Sequence, residues 1–165
     1  VSRTETSCIL SYSTVRMFLV DNNAVSGIGF QRRKSKTFRN NALIPREVLY
    51  ESRGAPDYGN FSHQEFPTSI RVLEILKKIL KTVEPGDLEL IDLFRNKGGA
   101  DPLIVACALA KIEETEQGLF TPEWVIVTND KAVVNLASEF SVPTMSVDEF
   151  AELIDSSEDN SPTND

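Results

Sequence analysis

The apolar and polar positions along the chain divide it into short elements of two kinds. Residues 15–20 (Val-Arg-Met-Phe-Leu-Val) form an apolar run of the length and continuity expected of a buried strand. Trp124-Val125-Ile126-Val127-Thr128 gives the clearest strand signal in the chain, with β-branched and aromatic residues in succession. Residues 88–93 and 143–146 read as two further strands. Helical spacing appears from Thr68, where Ile70, Val72, Leu73, Leu76, Ile79 and Leu80 recur with Lys77, Lys78 and Lys81 among them. Residues 103–112 are apolar nearly all round, which predicts a buried helix with Cys107 as a small core residue. Residues 130–140 and 147–154 read as two more helices.

Local stop and start signals refine these segments. Asn22 and Asn23 can cap a short helix reaching about Phe30, and Ile44-Pro45 opens a helix that continues to Glu51. Residues 53–59 are a turn-rich break, and Pro85-Gly86 ends the amphipathic helix. Asp101 and Pro102 occupy the N-cap and first positions of the apolar helix. From residue 88 onward strand and helix alternate three times. That order predicts right-handed crossovers and a mainly parallel sheet covered by helices on both faces, an α/β domain. One domain over residues 15–154 accounts for the pattern, with no internal repeat. Residues 1–14 are expected to lie outside it as a poorly ordered segment, since the chain opens on Val and Met17 stands just before Phe18-Leu19-Val20-Asp21. Residues 155–165 are expected to be a disordered acidic tail.

Composition narrows the class. With 41% hydrophobic residues in 165, one core can form, and no apolar run approaches the roughly 20 residues of a membrane span. Cys8 and Cys107 make no metal or redox motif, and a reducing cytoplasm is the simplest setting. The net charge of -8 argues against nucleic acid only if charge is evenly spread. It is not. Residues 22–46 carry Arg32, Arg33, Lys34, Lys36, Arg39 and Arg46 and no acid, whereas residues 155–165 carry four acids and no base. A local basic patch of this kind can steer a polyanion. Phe38 lies within it and is a candidate base-stacking ring, while Trp124 and the other phenylalanines are assigned to the core.

In a parallel sheet functional groups gather beyond the carboxyl ends of the strands. Asp21 directly follows Phe18-Leu19-Val20, Asp130 follows Val127 by three residues, and Asp101 precedes the apolar helix. Glu51 lies on the helix opened by Pro45. Each has a plainer role open to it, as an N-cap, a turn residue or an exposed helix glutamate. Together, in this order, they predict a carboxylate cluster. Such a cluster repels itself unless a cation neutralises it, and hard oxygen donors suit Mg²⁺ or Mn²⁺. The single histidine, His63, is read as a loop residue, and no Ser-His-Asp triad is implied.

Asp21 in Phe-Leu-Val-Asp-Asn-Asn, Glu51 in Ile-Pro-Arg-Glu-Val-Leu-Tyr-Glu, Asp101 in Gly-Ala-Asp-Pro-Leu-Ile-Val-Ala and Asp130 in Val-Thr-Asn-Asp-Lys resemble the acidic motifs of PIN domains. The resemblance spans residues 17–154. It implies a five-stranded parallel sheet in a three-layer α/β/α sandwich and a metal-dependent endoribonuclease, with Asp21, Asp101 and Asp130 as metal ligands and Glu51 completing the catalytic set. It gives Asn22, Thr128 and Asn129 supporting roles, as hydrogen-bond partners of the carboxylates or of metal-bound water. Asn22 stands where the family often has Thr or Ser. The family includes the toxins of VapBC-type toxin–antitoxin pairs, which implies a homodimer, an antitoxin protein as partner and no membrane. Arg32, Arg33, Lys34, Lys36 and Arg39 would contact the RNA. The alternative is a PIN-like nucleic-acid-binding or assembly module without cleavage.

Overall fold

Successive residues of a strand face opposite sides of a sheet, and in β1 (Arg16–Val20) that alternation separates two hydrophobic cores. Leu19 belongs to one, Phe18 and Val20 to the other. The neighbouring β4 (Glu123–Val127) divides in the same way: Trp124 and Ile126 side with Leu19, Val125 and Val127 with Phe18. A strand buried on both faces has to be apolar at every position, which is why these segments read as continuous runs. The structure is a computed structural model and describes residues 14–82, 102–116, 118 and 121–159.

Between the two strands the chain forms α1 (Asn22–Gly27), α2 (Phe30–Arg33), α3 (Lys36–Asn41), β2 (Ala42–Pro45) and α4 (Arg46–Glu51). A 3₁₀ turn (Ser52–Gly54), α5 (Tyr58–Phe61), β3 (Glu65–Phe66), α6 (Ile70–Thr82) and α7 (Pro102–Thr115) follow. After β4 come α8 (Lys131–Glu139), β5 (Thr144–Met145) and α9 (Val147–Asp159). The five strands form one all-parallel sheet in the order β3-β2-β1-β4-β5. Helices α6, α7 and α8 cover the Leu19 face, and α1, α3, α4, α5 and α9 cover the Phe18 face. The protein is therefore an α/β sandwich with a parallel sheet, as the alternation of elements predicts.

The apolar helix is as buried as its pattern requires: Ile104, Val105, Ala106, Cys107 and Ala108 are fully enclosed. On α6, Val72, Ile75 and Ile79 face the core, while Ile70, Leu73 and Leu80 are exposed. None of the described helices is long and apolar enough to cross a membrane.

Two expectations need correction, and one strand was not read. Residues 42–45 are a strand, and α4 begins at Arg46 with Pro45 as its N-cap, because the pairing of Ile44 with Glu65 holds the backbone extended through Pro45. Residues 65–66 are also a strand, fixed by that same pairing. The acidic tail does not begin at residue 155, since α9 runs on to Asp159 and Ile154 is buried beside Phe150. The strand read at 88–93, the helix end at Pro85-Gly86 and Asp101 lie outside the described residues.

Candidate functional site

From β1 the chain moves outward to β2 and β3, then returns to β4 on the other side of β1. The crevice beyond the carboxyl ends of β1 and β4 is therefore the switch point of the sheet, the place where such folds collect ligands. Asp21 stands there. Its backbone N–H extends the ladder to the Val127 carbonyl (3.1 Å), which fixes it level with the end of β4. Its Oδ1 accepts from the Asn22 N–H (2.7 Å), capping α1, and its Oδ2 accepts from the Thr128 hydroxyl (2.8 Å).

Thr128 joins this carboxylate to the backbone of a second aspartate. Its Oγ1 also accepts from the Asp130 N–H (3.0 Å), while Asp130 Oδ1 accepts from the Ala132 N–H (2.8 Å) and caps α8. Asp21 and Thr128 are both buried. Burial pushes the Asp21 carboxyl above its ordinary value. The Thr128 hydroxyl and the Asn22 amide pull it back, and the Asp130 charge raises it further. Neither aspartate forms an ion pair with a described residue.

The rest of the expected cluster is not assembled in this way. Glu51 is exposed at the end of α4, because Val48 and Leu49 occupy that helix's buried face. It makes no described hydrogen bond, and it is not among the charges acting on Asp21. Its neighbour Ser52 does reach the site, lying 3.3 Å from Asn22 Oδ1 while donating to the Val48 carbonyl (2.9 Å). Asn129 serves a different end from the one expected. Its Oδ1 accepts from the Val147 N–H (3.0 Å), satisfying one of the orphan donors in the first turn of α9. Ser146 and Glu149 form a capping box beside it. Among the described residues, no group of three or more His, Cys, Asp or Glu side chains is placed to hold a metal ion.

The basic run behaves differently from its sequence reading. Arg33 is buried and grips both oxygens of Asp57 (2.7 and 2.9 Å), with a further bond to the Val25 carbonyl. It is a structural group, out of reach of RNA. The guanidinium holds the Asp57 carboxyl below its ordinary value. Arg32 forms a two-oxygen pair with Asp155, and Glu158 accepts from the Lys36 N–H. Arg39 folds back onto the Lys34 carbonyl, and the Lys34 ammonium lies 3.8 Å from the Phe30 ring centroid. Phe38 is fully buried with Phe150 in the core, which removes it as a stacking platform.

Helix α9 measures how far this run lies from the carboxylates. Its first residue, Val147, touches Asn129, and Glu158 near its other end touches Lys36. Eleven residues of helix separate the two contacts by about 16 Å. The cations occupy the amino end of the sheet and the aspartates the carboxyl end. Asp57, Ser52, Asp155 and Glu158 were not singled out from sequence, since each meets its partner across 24 or more positions. No protein-family model matches the chain, and no curated protein matches it in sequence.

Proposed function

We propose that this chain is a Mg²⁺- or Mn²⁺-dependent endoribonuclease of the PIN type. The observation that carries the reading is the pair Asp21 and Asp130, tied through one Thr128 hydroxyl at the switch point of a parallel sheet. Two hard-oxygen donors suit Mg²⁺, which commonly keeps several waters and takes one or two carboxylates plus substrate phosphate. Asp21 and Asp130 would hold it, and Asp101, next to the first residue of α7, is the third ligand the motif resemblance supplies. A bound divalent ion would lower the pKa of an attacking water and offset charge on the phosphodiester.

The protein's own groups have separate tasks. Thr128 orients Asp21 by giving it a proton donor on one oxygen, and the Asn22 N–H does the same on the other. Raising the Asp21 carboxyl makes the site receptive to positive charge, because a cation relieves both its burial and its repulsion from Asp130. Glu51, exposed on α4, would have to approach from the side chain alone and is assigned a lesser role than the aspartates.

The test is cleavage of single-stranded RNA by the full chain with Mg²⁺ or Mn²⁺, with and without EDTA, for wild type, Asp21→Asn and Asp130→Asn. Both substitutions keep the cap geometry and remove a charge. Equal rates for all three proteins would reject the nuclease reading. The exposed Glu51 carboxylate, unjoined to Asp21, favours a second reading, a PIN-like nucleic-acid-binding or assembly module that does not cut. RNA binding without metal-dependent products would select it.

A toxin role belongs to the same proposal. It requires a homodimer and an antitoxin bringing a basic side chain to the aspartates. The exposed Ile70, Leu73 and Leu80 on α6 provide apolar surface for such contacts. Light scattering at a monomer mass, with harmless expression, would remove the toxin role and leave the nuclease.

A further inference from the structure

We propose that a cleft at the amino end of the sheet, lined by Lys34, Arg39, Gly59, Asn60 and His63, binds a phosphate group independently of the carboxylate pair. The cleft has a volume of about 340 Å³. Its lining holds two permanent cations, an imidazole and an amide, with no carboxylate and no apolar side chain. Ligand pockets for bases or acyl chains are mostly apolar, so this one suits a small hydrated anion. The Arg39 guanidinium offers N–H donors that match phosphate oxygens, and Lys34 adds positive charge to the same lining.

The cations in the cleft are positioned but not neutralised. Arg39 donates through Nε and Nη2 to the Lys34 carbonyl, which orients the guanidinium and leaves its other N–H groups uncommitted. Lys34 helps stabilise the Asp57 charge, yet that carboxylate is already held at both oxygens by Arg33. Neither Lys34 nor Arg39 forms an ion pair with a described carboxylate. Beside His63, Gln64 Nε2 donates to the Phe38 and Ala42 carbonyls (2.8 and 2.9 Å), and the Asn60 N–H donates to the Asp57 carbonyl (2.8 Å). Both walls are thus tied to the fold before a ligand arrives, which lowers the cost of ordering them.

The cleft is separate from the aspartates by topology. Arg39 lies just before β2 and His63 just before β3, and in a parallel sheet both positions are at the end opposite Asp21. Phosphate binding here needs no divalent metal and survives failure of the nuclease reading.

The chain contains one histidine, so the His63 ring resonances form a unique NMR probe. The full chain is titrated with inorganic phosphate in EDTA at constant ionic strength. A saturable His63 shift with a dissociation constant on the order of 1 mM or tighter is expected, about -4 kcal/mol of binding. Gly59 supplies the control, because a Cβ there meets nothing within 4 Å. Gly59→Glu should weaken binding at least about tenfold by like-charge repulsion, and Gly59→Gln should not, with unfolding temperatures unchanged in both. A shift that never saturates, or one that saturates equally in Gly59→Glu, overturns the proposal. A 5′-phosphorylated oligoribonucleotide that binds more tightly than phosphate, through the same cleft, identifies the source as an RNA end. Equal or weaker binding identifies free phosphate.

Discussion

The two ends of the sheet treat charge in opposite ways. At the carboxyl end, Asp21 is raised by its burial and further by the like charge of Asp130, and neither aspartate meets a described cation. At the amino end, two arginines meet opposite charges far apart in sequence, Arg33 with Asp57 and Arg32 with Asp155, while Lys34 and Arg39 in the neighbouring cleft stay without a described ion pair. Uncompensated like charge is an arrangement that stability alone disfavours, so it marks the candidate site. Compensated charge explains itself as structure. The sequence reads both regions as functional, the aspartates as a carboxylate cluster and the basic run as an RNA contact.

The buried pair gives the comparison its largest expected effect. Arg33→Ala leaves Asp57 charged and unpartnered in the interior, which should cost about 3–5 kcal/mol in urea unfolding. A loss under about 1 kcal/mol would show that this end of the molecule is not held by the pair. Asp57 also predicts an acid limb. Its folded pKa is lowered, so its stabilisation is present above the unfolded value near 3.8 and is lost as pH falls through the folded one. In Arg33→Ala that limb should shrink.

At the other end, Asp21→Asn should reduce RNA cleavage by about 10²–10³-fold, the scale of one lost electrostatic contributor at a reacting centre. The same variant should be more stable than wild type at neutral pH. The folded pKa of Asp21 is raised, so the wild-type carboxylate loses stability as pH rises from the unfolded value through the folded one. An Asp21→Asn protein that is inactive and also unstable would indicate a structural role instead.

Divalent metal should act only at the carboxyl end. Mg²⁺ at about 100 times its dissociation constant should stabilise the wild type by about 2.7 kcal/mol, and Asp21→Asn should abolish that gain while Arg32→Ala keeps it. The smallest effect expected is that of Arg32→Ala itself. Its pair with Asp155 is exposed, so the loss should be about 0.2–1 kcal/mol and should shrink further in high salt. A loss as large as that of Arg33→Ala would erase the distinction between the two arginines.

Much of the fold was legible because period and burial coincide. A strand covered on both faces needs an unbroken apolar run, so β1 and β4 were readable from residues 15–20 and 124–128. The buried α7 was readable from its all-round apolar character for the same reason. Strand β2 and the edge strand β3 were not, since their extended backbone depends on pairing with a distant segment. In the site, Asp21 and Asp130 were legible from their places after strands, and Thr128 from the motif resemblance. The exposure of Glu51 was not, because it depends on which face of α4 Val48 and Leu49 commit to the core.

By itself, then, the sequence determined which segments are apolar enough to be buried, the alternation that makes the sheet parallel, and the aspartates that follow its strands. Those properties are local: they depend on residues within a few positions of one another. Only the tertiary structure decided which charges are free. Arg33 and Asp57 are 24 positions apart, and Arg32 and Asp155 are 123 apart. Charge in a folded chain is balanced through space, so no run of like residues reveals whether it will meet solvent, a ligand or its own counter-ion.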